Sequence, residues 1–378
     1  MEIRKIKKYS LPYSQEDKDF ILENIKNILD NGYLTDGGEY VKKFELAWAE
    51  IIGAKHTVAV NSCTTALEMI LNLIDVKGHS VIVPTYTFFA TPLSVHLAGG
   101  EVVYADISAD TMSLSLDSIK EAATPDTKAI ILVHVGGIIT PEVLEIRSWC
   151  DKNNIFLIED AACAHGASYD ETPAGNFGHF GAFSFHHSKV LTSGEGGMIV
   201  TSSAECAARL RRMRAIGLDR SINNWEVFEL GNNYKIPETS AVLGLLHCKK
   251  ASNIFEERRS VADHYDNNIN FNKNLAKFEI PSGVISGYYK YVVMAKSKSY
   301  KDFLTNTLAD KYNIYLPPTI YSYLCHEQGI NKKIKNNQLR SSFDNARYMM
   351  DHNICLPMYC GLSKDNLKYI TDSINKII

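Results

Sequence analysis

The 378 residues are 45% hydrophobic and 22% charged, with a formal net charge of −3, an ordinary balance for a globular protein able to bury a core of good size. With no sustained basic run beyond Lys5, Lys7 and Lys8, the charge pattern gives no support to nucleic-acid binding. The most apolar run, residues 129–139, is too short and too glycine-interrupted to span a bilayer.

The 8 cysteines are scattered without a Cys-x-x-Cys pair, and Met1 opens directly onto charged residues. Reduced thiols in a cytoplasmic protein without a secretory signal are therefore expected.

In chain order, Phe20, Ile21, Ile25, Ile28 and Leu29 give residues 15–31 a helical spacing that Asn31-Gly32 ends. Residues 41–52 form a second amphipathic helix through Phe44, Leu46, Ala47 and Trp48. An alternation follows. Strand candidates at 56–60, 80–83, 102–106, 129–135 and 155–160 are separated by helical stretches, the signature of an α/β unit with a mostly parallel sheet. Residues 198–201 read as a further strand, 209–214 as part of a charged helix, and 237–264 as one long helix. Beyond about residue 265 the texture turns rich in Asn, Lys and Tyr, with a strand candidate at 288–295. That shift predicts a second, smaller α+β domain.

Four motifs fall where the carboxyl ends of such a sheet gather ligands. Ser62-Cys63-Thr64-Thr65 sits at a strand-to-helix junction, where free amides and the helix dipole favour an anion; a simple helix cap is the alternative. Tyr86-Thr87-Phe88-Phe89 offers aromatics that stack on a planar ring or fill a core. Asp160 closes an apolar strand, at the mouth of the sheet or as a helix cap. Lys189 lies between Phe183-Ser184-Phe185 and Gly194, Gly196 and Gly197, in a setting suited to a lysine that must be held and partly desolvated. A phosphate cradle, a stacking aromatic, an acid and a lysine together match the needs of pyridoxal phosphate (PLP). There is no Gly-x-Gly-x-x-Gly, Walker loop or Gly-x-Ser-x-Gly. His186-His187 lacks the i,i+4 spacing and the third ligand of a zinc site, so no metal is expected.

Nearly end to end the sequence resembles the DegT/DnrJ/EryC1/StrS sugar aminotransferases, a family of fold type I PLP enzymes. The likeness runs through Gly38, Val41, Phe44 and Glu45, then 61–67, 84–88, 127–130 and Glu159-Asp160-Ala161-Ala162. It continues through Phe183-Ser184-Phe185-His186 with Lys189, Gly194-Glu195-Gly196-Gly197, and Gly231, Asn233, Tyr234 and Lys235.

The resemblance implies a fold type I α/β architecture with a mostly parallel central sheet, a large PLP-binding domain over 1–255 and a small α+β domain over 256–378, the N-terminal segment packing with the latter. It implies that Lys189 carries PLP as a Schiff base and that Asp160 partners the pyridine nitrogen. Phe88 would stack on the ring, and Cys63, Thr64 and Ser184 would bind the phosphate. Asn233 would reach the site of a neighbouring subunit, giving a homodimer with shared sites. Cys163 stands where the family carries Gln, His or Glu near the cofactor's phenolic oxygen, and a thiol donates only weakly. Residues 317–326 follow the family's substrate loop loosely, with Tyr321 and His326 as substrate candidates.

The implied reaction moves an amino group from L-glutamate to the keto group of a nucleotide-linked sugar of the 4-keto-6-deoxy type, for amino-sugar and polysaccharide biosynthesis such as O-antigen. A cyclitol or other small ketone as acceptor, or a PLP-binding regulator without turnover, are the alternatives. Some relatives carry a histidine in place of the lysine and act as dehydratases; Lys189 at that position favours transamination.

Overall fold

The computed structural model describes residues 5–35, 38–219, 226–332, 338–339 and 342–378. Helix α1 (Gln15–Asn31) opens with a capping box between Ser14 and Asp17 and stops at Gly32, whose φ of 76° suits glycine. The first amides of α2 (Tyr40–Ile52) donate to the buried Glu238 carboxylate. A Cβ on Gly38 would lie 2.4 Å from Glu238 Cδ, so the chain passes that carboxylate only as glycine.

The predicted alternation follows as β1 (His56–Val60), α3 (Cys63–Leu73), β2 (Ser80–Pro84), α4 (Ala90–Leu97), β3 (Glu101–Ala105), α5 (Leu116–Ala122), β4 (Thr127–Val133), α6 (Val143–Lys152) and β5 (Phe156–Asp160). A short ribbon, β6 (Ser168–Tyr169) and β7 (Thr172–Pro173), precedes β8 (Phe180–Ser184), β9 (Gly197–Thr201) and α7 (Ala204–Arg214). The stretch read as one long helix is two, α8 (Glu238–Lys249) and α9 (Ala251–Asn268), broken at Lys250, whose Nζ bonds Asp17 at 2.6 Å. The remainder is β10 (Leu275–Lys277), β11 (Val284–Ile285), β12 (Tyr291–Ala295), α10 (Lys298–Tyr312), β13 (Gln338–Leu339), α11 (Asp344–His352), β14 (Asn353–Leu356) and α12 (Lys364–Asn375).

The main sheet has 8 strands in the order β1-β9-β8-β5-β4-β2-β3-β13. From β8 to β13 all pairs are parallel, whereas β9 runs antiparallel to both neighbours. Strand alternation sorts side chains onto two faces. Val58, Val60, Val81, Val83, Ala129 and Ile131 pack in one apolar cluster; Ala59, Ile82, Ile130 and Leu132 pack in the other, with Phe44 and Trp48 of α2. A third cluster forms around the 3-stranded sheet β10-β12-β14. Ile6 joins that cluster and bridges to Ile314, so the N-terminal segment packs beside the small sheet. Helix α9 crosses between cores: Ile254 belongs to a main-sheet cluster, Val261 and Tyr265 to the third.

Among the described residues no helix is long and apolar enough to cross a membrane.

Candidate active site

A cavity of about 630 Å³ opens at the carboxyl ends of the parallel strands. Its floor begins with β5, which delivers Asp160, only 6% exposed. Asp160 Oδ2 accepts from Thr91 Oγ1 at 2.8 Å and Oδ1 from the Ala162 amide at 3.1 Å, which fixes the carboxylate plane. The neighbouring Glu159 points to the opposite face and is fully buried. It accepts from the amides of Gly175, Phe177 and Gly178 at 2.6–2.7 Å and pairs with His134 Nε2 at 2.8 Å. Two adjacent acids are thus divided by the strand's period of two: one ties down the turn beneath the sheet, the other faces the cavity.

Helix α3 starts at the cavity wall. Ser62 Oγ takes the Thr65 amide and Ser62 O the Ala66 amide. Among the described residues the Cys63 and Thr64 amides have no such partner, so they remain as donors at the positive end of the helix. A Cβ on Gly197 would lie 2.3 Å from the Ser62 carbonyl atoms, so β9 comes this close to the turn only as glycine. Of the other glycines after Lys189, Gly194 is needed for its φ of 82° and Gly196 for packing against Ser193.

Strand β8 ends at Ser184, and the turn beyond it holds Lys189 through its amide bond to His186 O at 2.9 Å. Lys189 Nζ faces Cys163 Sγ at 3.3 Å and lies 4.7 Å from the centre of the Tyr289 ring. Burial alone lowers Lys189, but Cys163, Tyr289 and Asp160 outweigh it and hold the ammonium above the usual lysine range. Burial, aided by Asp160, pushes the Cys63 thiol well up.

The cavity therefore gathers Cys63, Thr64, Phe88, Asp160, Cys163, Ser184, Lys189 and Tyr321 among its lining. Phe88 is 48% exposed and packs against Phe89 with ring centres 4.2 Å apart and the planes tilted by 34°. Tyr321 meets Tyr86 edge-on at 5.3 Å, and burial leads the rise of its hydroxyl well above the usual range. Two expected residues lie apart. His326 bonds Thr85 Oγ1 through Nδ1 at 2.6 Å and stacks on Phe343, outside the lining. Asn233 is exposed, also outside the lining, in an isolated bridge with Ala215. Thr91, Tyr289, Arg258 and Tyr9 line the cavity without having been singled out in the sequence. The unassigned His187 lines it too and accepts the Tyr9 hydroxyl on its carbonyl at 2.6 Å.

Among the described residues no group of three or more His, Cys, Asp or Glu is placed to hold a metal. The donor set fits PLP: open amides at a helix N-terminus for a phosphate, an aromatic face, a buried acid and a half-buried amine converge on one space.

Residues 15–375 match the model of the DegT/DnrJ/EryC1/StrS aminotransferase family. The chain belongs to this family. As an aminotransferase it is 29% identical to a GDP-perosamine synthase of Escherichia coli O157:H7, over 94% of each chain. It is 28% identical to the spore coat polysaccharide biosynthesis protein SpsC of Bacillus subtilis, over 98% of this chain and 96% of that one. Its fold superposes on Helicobacter pylori PseC, an aminotransferase involved in the biosynthesis of pseudoaminic acid, with a TM-score of 0.89, 25% identity and 99% of each chain covered. The architecture is that of the fold type I aminotransferases.

Proposed function

We propose that this aminotransferase uses PLP bound through Lys189 to move an amino group from L-glutamate to the keto group of a nucleotide-linked sugar of the 4-keto-6-deoxy type, in amino-sugar or polysaccharide biosynthesis such as O-antigen assembly. The observation that carries the reading is the convergence of Lys189 and Asp160 on one cavity with the open amides of α3. The likeness to a GDP-perosamine synthase supports the acceptor class.

When bound, PLP supplies an electron sink that makes the Cα proton of an amino acid labile. The Cys63 and Thr64 amides, with the Ser184 hydroxyl, would bind its phosphate, and Phe88 would cover the ring. Asp160, oriented by Thr91 and Ala162, would hold a proton on the pyridine nitrogen. With the cofactor in place, Lys189 Nζ would act as general base and then acid for the proton on Cα of the amino donor, and would serve in the reverse sense for the keto-sugar. Cys163 orients that amine from 3.3 Å. Tyr321, in the cavity lining, would face the acceptor.

We assign 1–255 to a PLP-binding domain and 256–378 to a smaller one, in a cytoplasmic homodimer. The exposed Ile216, Val227, Phe228 and Leu230, the last at 94%, surround the loop that carries Asn233 and suit an interface that would bring Asn233 to a neighbour's site.

The test is to add L-glutamate to the PLP-loaded protein and then a panel of nucleotide keto-sugars. Bleaching of the visible cofactor band by glutamate, and its return with one acceptor, is expected. Bleaching without return on any nucleotide sugar but with return on a cyclitol ketone would transfer the activity to that class, and no bleaching by glutamate would overturn the donor.

A further inference from the structure

We propose that Tyr289, pinned through its backbone by Arg258, is a positioning residue that holds the protonated amine of Lys189 against the face of its ring. The proposal rests on the reading of Lys189 as the proton-transfer group. The ring centre lies 4.7 Å from Lys189 Nζ, within reach of a cation–π contact.

The ring has little freedom. Arg258, only 7% exposed, donates to Tyr288 O at 2.7 and 2.9 Å, to Tyr289 O at 3.1 Å and to Met358 O at 3.3 Å. Tyr288 adopts a left-handed backbone with φ of 44°. The Gly287 amide and the Ser286 hydroxyl both bond Gly137 O, at 3.1 and 3.2 Å. A Cβ on Gly287 would lie 2.3 Å from His165 O, so the segment is wedged against the turn that follows β5.

The groups facing Lys189 differ in kind. Asp160 and Cys163 come from β5 and its following turn, Cys63 from the first turn of α3, His165 from beneath, and His186 from its own loop. Asp160 and Cys163 offer lone pairs, which bind a cation but also compete for its proton. The π face of the ring offers no lone pair to accept a proton. It stabilises the ammonium after Lys189 has taken a proton and leaves that proton available for return. Lys290 Nζ sits 5.3 Å from the centre of the same ring, so the tyrosine ring meets two cavity-lining cations.

The experiment is competitive labelling of the cofactor-free full chain with trace acetic anhydride across a pH series, with Lys189 reactivity read by peptide mass spectrometry against an exposed lysine such as Lys26. Tyr289→Leu is expected to raise the labelling of Lys189 at mildly alkaline pH about tenfold, as loss of a desolvated cation–π contact requires, while Tyr289→Phe stays within about twofold of wild type. Should Tyr289→Leu fail to fold, phenylalanines of increasing ring fluorination at position 289 keep the shape while weakening the negative face, and labelling should rise with each fluorine. Unchanged labelling in Tyr289→Leu or along the fluorinated series overturns the proposal, as does a Tyr289→Phe effect equal to that of leucine. The readout needs no cofactor, so it is separable from the proposed function, which fails instead if Lys189→Ala turns over both substrates.

Discussion

The floor and the wall of the cavity are built in opposite ways. The floor consists of strand ends and the helix start beside them: Asp160 closes β5, Ser184 closes β8 and Cys63 opens α3, and each is at most 8% exposed. Among them Asp160 is fixed by the Thr91 hydroxyl, from the first turn of α4, and by the Ala162 amide just beyond its own strand. The wall comes from segments far apart in sequence, namely Tyr9, Tyr289 and Tyr321, attached to the small sheet or the N-terminal strap. Its contacts are ring edges, ring faces and backbone carbonyls rather than buried carboxylates. Chemistry that must be the same on every turnover belongs on the rigid side, and, Tyr289 apart, recognition of a particular acceptor belongs on the side whose loops can be exchanged without disturbing a core.

The sharpest break with that division would come from Lys189→Ala. Turnover should fall by at least about a thousandfold and the visible band of the loaded protein should vanish, as measured by stopped-flow half-reactions. Next is Glu159→Ala, which strands three backbone amides and His134 in a dry site. A loss of about 3–5 kcal/mol in urea unfolding is expected, and a loss below about 1 kcal/mol would mean that the floor is not held by this carboxylate.

His165 tests the floor by pH. Burial, then the nearby Lys189, pushes its imidazole down to about 3, and among the described residues both ring nitrogens lack partners in an aromatic nest of Trp48, Phe183 and Phe185. Below about pH 6.5 the unfolded chain binds a proton that the native state refuses, so stability drops as pH falls, by about 2 kcal/mol between about pH 7 and pH 5. His165→Phe should flatten that slope in urea titrations at the two pH values.

Smaller still, Thr91→Val removes one donor from Asp160 and should weaken PLP binding by about 1–2 kcal/mol, read by dialysis and spectral titration. At the mild end, Tyr321→Phe on the wall should raise KM for the sugar acceptor a few-fold at nearly constant kcat. A matching loss in the glutamate half-reaction would show that the wall serves chemistry as well as recognition.

The floor was legible because it obeys local rules. The apolar runs of β1 to β5 are short and nearly continuous, as strands buried on both faces are, and Asp160 ends one of them while Lys189 follows a further apolar run, which already placed both near the carboxyl edge of the sheet. The antiparallel return of β9 carried no comparable signal, since its residues look like those of any buried strand. The break between α8 and α9 was hidden because Lys250 is neither Gly nor Pro; a tertiary bond to Asp17 accompanies the break. Thr91 was missed although it follows Phe88 by one helical step, because a hydroxyl in a first helical turn reads equally well as a solvated one. Tyr289 and Arg258 were out of reach: their meeting with the floor depends on how the small sheet is docked, which no local pattern encodes. His326 looked like a substrate residue for the converse reason, since its loop reaches the cavity while its own ring turns back onto Thr85 and Phe343.

Arg258 sits on α9 between Ile254, embedded in one apolar core, and Tyr265, embedded in another. The guanidinium that carries the Tyr288 and Tyr289 carbonyls is therefore surveyed from both ends, like a benchmark levelled against two foundations. A packing defect at either end tilts the same arm, so substitutions far from the cavity, on opposite sides of the molecule, should converge on one symptom: a loosened ring beside Lys189.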